Sequence, residues 1–175
     1  MPGFLLIFAW SLIAGLFIQW VALPALPGLH AGHGLMKGGD WIEYHLAAID
    51  LASLMEQQGW QVWELRPKIN APIGISAAAY FLTGISEPWV VFPLYAAMFA
   101  VAAVSLHGIF TSFATKSLAF VATLPFVLFP SAALIYSQIH KDVFSIAGTL
   151  VVVFCLGRVC PARWAVCWCG LYGLI

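Results

Sequence analysis

Four long apolar runs alternate with polar segments along this chain, and a fifth begins before the chain ends. Phe4–Leu26 carries no charge and closes among Pro24 and Pro27. Pro88–Phe110 and Leu118–Tyr136 are the second and third runs. Val143–Gly157 is the fourth, slightly short unless the polar turn before it supplies its outer end. A helix needs about 20 apolar residues to cross a hydrocarbon core roughly 30 Å thick. Spans are therefore expected at about 4–26, 88–110, 118–136 and 139–157. The run 164–175 is too short to cross, so it reads as a partial fifth span. Residues 1–175 are accordingly expected to be a single transmembrane domain, truncated at the C-terminus. Pro125 and Pro130 remove backbone donors within the third run and predict a kink or an unwound outer end there.

Between the first two spans lies a large loop, 27–87, with a different periodicity. From Asp40 to Gln57, Trp41, Tyr44, Ala48, Leu51 and Met55 recur at 3–4 spacing. Glu43, Asp50 and Gln57 recur every seven residues on the opposite face, which predicts an amphipathic helix at the membrane surface. Gly38-Gly39 and Gly59 punctuate its ends. Ala71–Ile85 is apolar but short for a span. Its fate follows from charge. If it does not cross, Lys116, Arg158 and Arg163 share one side, and all seven acidic residues fall on the other. Lys and Arg in short loops mark the cytoplasm. Ala71–Ile85 is therefore expected to be an interfacial or re-entrant helix, and the loop to be extracytoplasmic.

Composition agrees with lipid as the solvent. Hydrophobic residues make up 63% of the chain and charged residues 8%, against roughly 25% charged in a soluble domain. Mean hydropathy is +0.97. The expected fold class is all-α: a polytopic transmembrane protein with an amphipathic juxtamembrane helix in its first outer loop. A net charge of zero offers no basic surface for nucleic acid. Cys155, Cys160, Cys167 and Cys169 crowd near the C-terminus and suggest no disulfide framework.

Two polar clusters carry candidate chemistry. Asp40 opens the amphipathic helix, and two roles compete for it. With Glu43 three residues on, it matches a capping box; equally, it is a carboxylate held where a lipid headgroup would lie. The second cluster is Ser137-Gln138-Ile139-His140-Lys141-Asp142. Lys141 and Asp142 there are either interfacial anchors or functional groups. The expected topology brings Asp142 to the face of Asp40. Two carboxylates beside Arg66, Lys68 and Lys141 would suit a phosphorylated substrate. Cations neutralise phosphate charge, and a carboxylate accepts the proton of an attacking hydroxyl. His30-x-x-His33 lies in a Gly-rich segment without a metalloprotease Glu and reads as a loop rather than a ligand set. His45 and His107 receive no role.

The order of these features resembles the N-terminal part of GT-C fold membrane glycosyltransferases, notably bacterial aminoarabinose transferases and protein O-mannosyltransferases. One span precedes an outer loop opening with Asp-x-x-x-Tyr (Asp40, Tyr44), and an amphipathic helix ends at Gly59-Trp60. The turn Arg66-Pro67-Lys68-Ile69-Asn70-Ala71-Pro72 leads to a short apolar helix closing at Gly84, and a later outer turn holds Lys141-Asp142. The match departs from the family at three places. Lys-Pro-Pro is replaced by Lys-Ile-Asn-Ala-Pro, Trp41 stands where an acidic residue is common, and the Arg expected in the second span is absent.

The resemblance implies a multi-pass protein of the bacterial inner membrane. It would move a sugar from a polyprenyl-phosphate donor to a glycan, lipid or protein acceptor outside the cytoplasm. Asp40 and Asp142 would be the catalytic pair or hold a divalent metal ion. Tyr44, Arg66, Lys68, His140 and Lys141 would bind substrate. The alternatives are a transporter or assembly subunit, and a lipid-linked polysaccharide polymerase. Transport is disfavoured by the lack of Asp, Glu, Lys or Arg in the middle of any span.

Overall fold

Prolines and glycines set most of the helix boundaries. In a computed structural model, residues 2–159 are described; Arg163, the partial span 164–175, Cys160, Cys167 and Cys169 lie outside the described residues. Helix α1 (Pro2–Phe17) continues into a π-helical turn at Ile18–Ala22. Together they give an apolar helix, Gly3–Ala22, of mean hydropathy 2.1. It stops short of the expected end at residue 26, in turns around Pro24. The wider turn rotates Gln19 inward, where it is buried.

The Gly-rich segment expected as a loop is a β-hairpin, β1 (His30–Gly32) and β2 (Leu35–Met36). Its tip is three consecutive residues at positive φ, Gly32, His33 and Gly34. His is among the few side chains that tolerate this region. Gln138 pins the hairpin: its Oε1 accepts from Met36 N at 3.0 Å and its Nε2 donates to Gly34 O at 3.3 Å. Gln19 Nε2 donates to the adjoining Ser137 carbonyl at 2.6 Å.

Helix α2 (Trp41–Gln58) falls within a residue of its expected position. Its buried side chains are Tyr44, His45, Ala48, Ala52 and Met55, while Glu43, Asp50 and Gln57 are exposed. The apolar stripe packs on helix α3 (Ala71–Thr83), which caps at Gly84 in the left-handed region. The stripe is thus covered by a protein neighbour. The segment that connects the two helices also lies close on α3, where Gly74 faces the carbonyls of Glu64 and Leu65. Trp63 Nε1 donates to the Gly74 carbonyl at 2.9 Å.

Helix α4 (Phe92–Phe110) is the centre of the bundle and touches α1, α5 (Lys116–Leu128) and α7 (Asp142–Val159). Of its apolar window 44% is buried, against 11% for α7. Ala96, Ala100, Ala102, Ala103 and Ser105 line the buried faces of α4, and small residues let helix backbones approach. The expected third span is corrected by the structure. Phe129 is extended, so 118–136 is divided into α5 and α6 (Pro130–Tyr136), of 13 and 7 residues. Pro130 disfavours helical backbone at the residue before it, which places the break there, whereas Pro125 is accommodated inside α5. Among the described residues, three helices are long and apolar enough to cross a membrane: Gly3–Ala22, Phe92–Phe110 and Asp142–Val159.

The bundle has two unlike ends. At one, the N-terminus of α4 meets α2, α3, the hairpin and the start of α7, and a core of Tyr44, Met55, Ile73, Tyr80, Tyr95 and Tyr136 joins them. At the other, Gly108 of α4 faces Phe154 of α7, and Arg158 covers that ring at 5.2 Å.

Candidate functional site

Asp40 is not a helix cap. Its own backbone is already helical (φ −65°, ψ −18°), and its side chain makes no capping hydrogen bond. A cap needs extended backbone to swing its oxygen back over the first turn, so the capping-box expectation for Asp40 and Glu43 fails. The carboxylate faces Tyr44 instead. Tyr44 Oη lies 3.4 Å from Asp40 Oδ2 and 3.4 Å from Asn70 Oδ1, and shares its single proton between them. Burial raises the Tyr44 hydroxyl above its usual pKa; the Asp40 charge adds to this and the Lys141 charge opposes it. Tyr44 is thus a neutral donor placed between an acidic and a basic neighbour.

Asn70 leads into a pocket of about 380 Å³, lined also by Arg66, Pro72, Lys141, Asp142 and Ser145. The residues come from separate elements: the turn before α3, the start of α3, and the first turn of α7. Asp142 begins α7, and Lys141 directly precedes it. His140 braces this start rather than lining the pocket. Its Nδ1 lies 3.2 Å from the Asp142 amide and 3.3 Å from Asp142 Oδ2, with the ring against Trp41. One nitrogen cannot serve both contacts. With Nδ1 unprotonated it accepts from the amide, and with a proton on Nδ1 it donates to the carboxylate.

The structure thus gathers Arg66, Asn70, Lys141 and Asp142 around one pocket, with Tyr44 joined to it through Asn70. Asp40 joins them through Tyr44, and His140 through Asp142. Lys68 stands apart. It is exposed, its backbone is left-handed (φ 50°), and its carbonyl accepts from Asn70 Nδ2 at 3.1 Å. Among the described residues no three His, Cys, Asp or Glu side chains gather as a metal-binding group.

A second polar group escaped the sequence reading. His45, only 2% exposed, has Nδ1 at 2.9 Å from Tyr80 Oη. His33 at the hairpin tip holds the Glu87 carboxylate through Nδ1 at 3.1 Å, and the two histidine rings lie 5.3 Å apart. Burial, with the neighbouring His33 adding, lowers His45 from 6.5 to about 4. The available signal was the spacing 41, 45, 48, 52, which puts a histidine on the apolar row of α2. No family model matches this chain, nor does any curated protein or solved structure.

Proposed function

We propose that this chain is a multi-pass membrane glycosyltransferase that uses a polyprenyl-phosphate-linked sugar on the extracytoplasmic face. One observation carries the reading: Arg66, Lys141, Asp142 and Asn70 line a common pocket, with Asp40 linked to it through Tyr44. Two cations at one mouth suit a phosphate that gains charge as the sugar leaves it. Asp40, exposed and free of a capping duty, accepts the proton of the acceptor hydroxyl. Tyr44 holds that carboxylate in place and donates to it. Asp142 is the second carboxylate, and His140 fixes its position at the start of α7. Asp40 and Asp142 are also the residues that would hold a divalent ion, which would neutralise phosphate charge.

The placement in the membrane belongs to the same proposal. All seven acidic residues lie in 40–87 or at Asp142, and Lys116 and Arg158 sit at the other end of the bundle. That asymmetry supports a cytoplasmic location for the Lys116–Arg158 end. Trp20 against Trp89, and Trp60 against Trp63 and Phe81, cluster at the pocket end, where interfacial aromatics would lie. The deciding experiment is transfer of a lipid-linked sugar by the purified protein and by its Asp40→Asn variant. Activity in the wild type and its loss in a well-folded variant is the expected result. Equal activity in both would remove Asp40 from the chemistry, and no transfer by the wild type would overturn the reading.

A further inference from the structure

The hairpin tip and α2 bring together two histidines with complementary free nitrogens, away from the pocket of Arg66 and Asp142. His33 engages the Glu87 carboxylate through Nδ1, with both oxygens at 3.1–3.2 Å. A carboxylate only accepts, so this nitrogen carries the proton, and in the neutral ring Nε2 holds the lone pair. His45 meets Tyr80 Oη through Nδ1 at 2.9 Å, and its Nε2 is buried without a hydrogen-bond partner. When Nδ1–H donates to Tyr80, His45 Nε2 is likewise a lone pair. Both rings are then oriented by an oxygen at Nδ1, the arrangement that positions metal-bound imidazoles. Their centroids are 5.3 Å apart and the rings tilt by 48°. Two imidazoles bound tetrahedrally through Nε2, at roughly 2.0–2.1 Å from the ion, would have centroids about 5 Å apart.

We infer that His33 and His45 form a two-histidine site for a divalent transition-metal ion such as zinc. Glu87 and Tyr80 orient the two ligands, and water completes the coordination. Imidazole donors favour zinc, cobalt, nickel or copper over magnesium or calcium. Glu87 adds a negative charge beside an otherwise neutral donor pair. The hairpin supplies one ligand and α2 the other, so the ion would clamp the hairpin onto the helix.

The test uses the whole chain in detergent micelles, titrated with zinc chloride by calorimetry and with cobalt chloride by visible absorption. One saturable site is expected, with a cobalt spectrum of nitrogen ligation. His33→Asn suits the left-handed backbone at this exposed position and should abolish saturable binding while leaving the helical circular dichroism unchanged. Glu87→Gln should weaken binding about tenfold or more by loosening His33. His45→Gln, checked for folding in the same way, should also abolish it. Absence of saturable zinc binding in the wild type would overturn the site. So would binding that survives His33→Asn unchanged. Neither outcome touches the proposed sugar transfer, which is read by a separate assay.

Discussion

Replacing Asp40 separates chemistry from architecture cleanly, because the structure removes the usual confusion between them. An acidic residue at a helix start normally contributes about 0.5–2 kcal/mol as a cap. Asp40 makes no capping bond, so none of that is at stake. What the side chain does hold is one long contact with Tyr44 Oη, at 3.4 Å. A hydrogen bond of ordinary quality is worth about 0.5–1.5 kcal/mol net, and this one falls at the weak end. Asp40→Asn and Asp40→Ala should therefore unfold within about 0.5 kcal/mol of each other and of the wild type. Activity should respond very differently. A general base typically contributes about 10²- to 10⁴-fold in rate, equal to about 2.7–5.4 kcal/mol of barrier. Neither amide nor methyl can accept a proton, so both variants should lose transfer to the same depth. The assay is single-turnover transfer from a radiolabelled polyprenyl-phosphate sugar, paired with thermal unfolding in the same detergent. If Ala proved clearly less stable than Asn, Asp40 would be a cap after all. Should Asn keep near-normal transfer while Asp142→Asn abolishes it, the base would be Asp142.

Three further outcomes follow from particular contacts. Gly74→Val should destabilise by about 1–3 kcal/mol in thermal unfolding, because the new side chain meets the fixed carbonyls of Glu64 and Leu65. Gly15→Ala meets the buried Phe92 ring at close range and should destabilise as well, because that ring must shift within the core. In a cysteine-free background, Gln57→Cys and Ser86→Cys should react with an impermeant thiol reagent outside the cell, and Ser112→Cys should not. All three positions are exposed; Ser86 reacting from the opposite side to Gln57 would mean that α3 crosses. His45 makes stability depend on pH. Its folded pKa of about 4 lies below the unfolded 6.5, so the unfolded chain binds the extra proton between them. The stabilisation is full above about pH 6.5 and disappears as pH falls toward 4, on the order of 2–3 kcal/mol in all. Melting temperatures across that window should fall in the wild type and flatten in His45→Gln.

Much of the helical layout was legible in the chain itself. Length of apolar run, proline position and 3–4 spacing located α1, α2, α4 and α7 to within a few residues, because those signals are local and strong. Pro125 and Pro130 announced a disturbance, but not that Phe129 alone would carry it. The hairpin was invisible, since its strands of 3 and 2 residues are too short for a periodic signal. What holds it is Gln138, more than a hundred positions away in sequence.

The candidate site divides in the same way. Residue type and order singled out Asp40, Arg66, Lys141 and Asp142. Only the packing of α2 on α3, and of both on the start of α7, decided which of them meet. That packing put Tyr44 and Asn70 between Asp40 and the pocket and left Lys68 outside it. Local pattern also proposed a cap at Asp40, which the helical backbone at that residue rules out. The histidine pair depends wholly on tertiary structure: 12 positions separate His33 from His45, and 54 separate His33 from Glu87. Apolar periodicity determines which segments become helices because each helix is a short-range affair of backbone and spacing. Which side chains share a site is set by contacts between distant segments, and those are written in no local stretch of the chain.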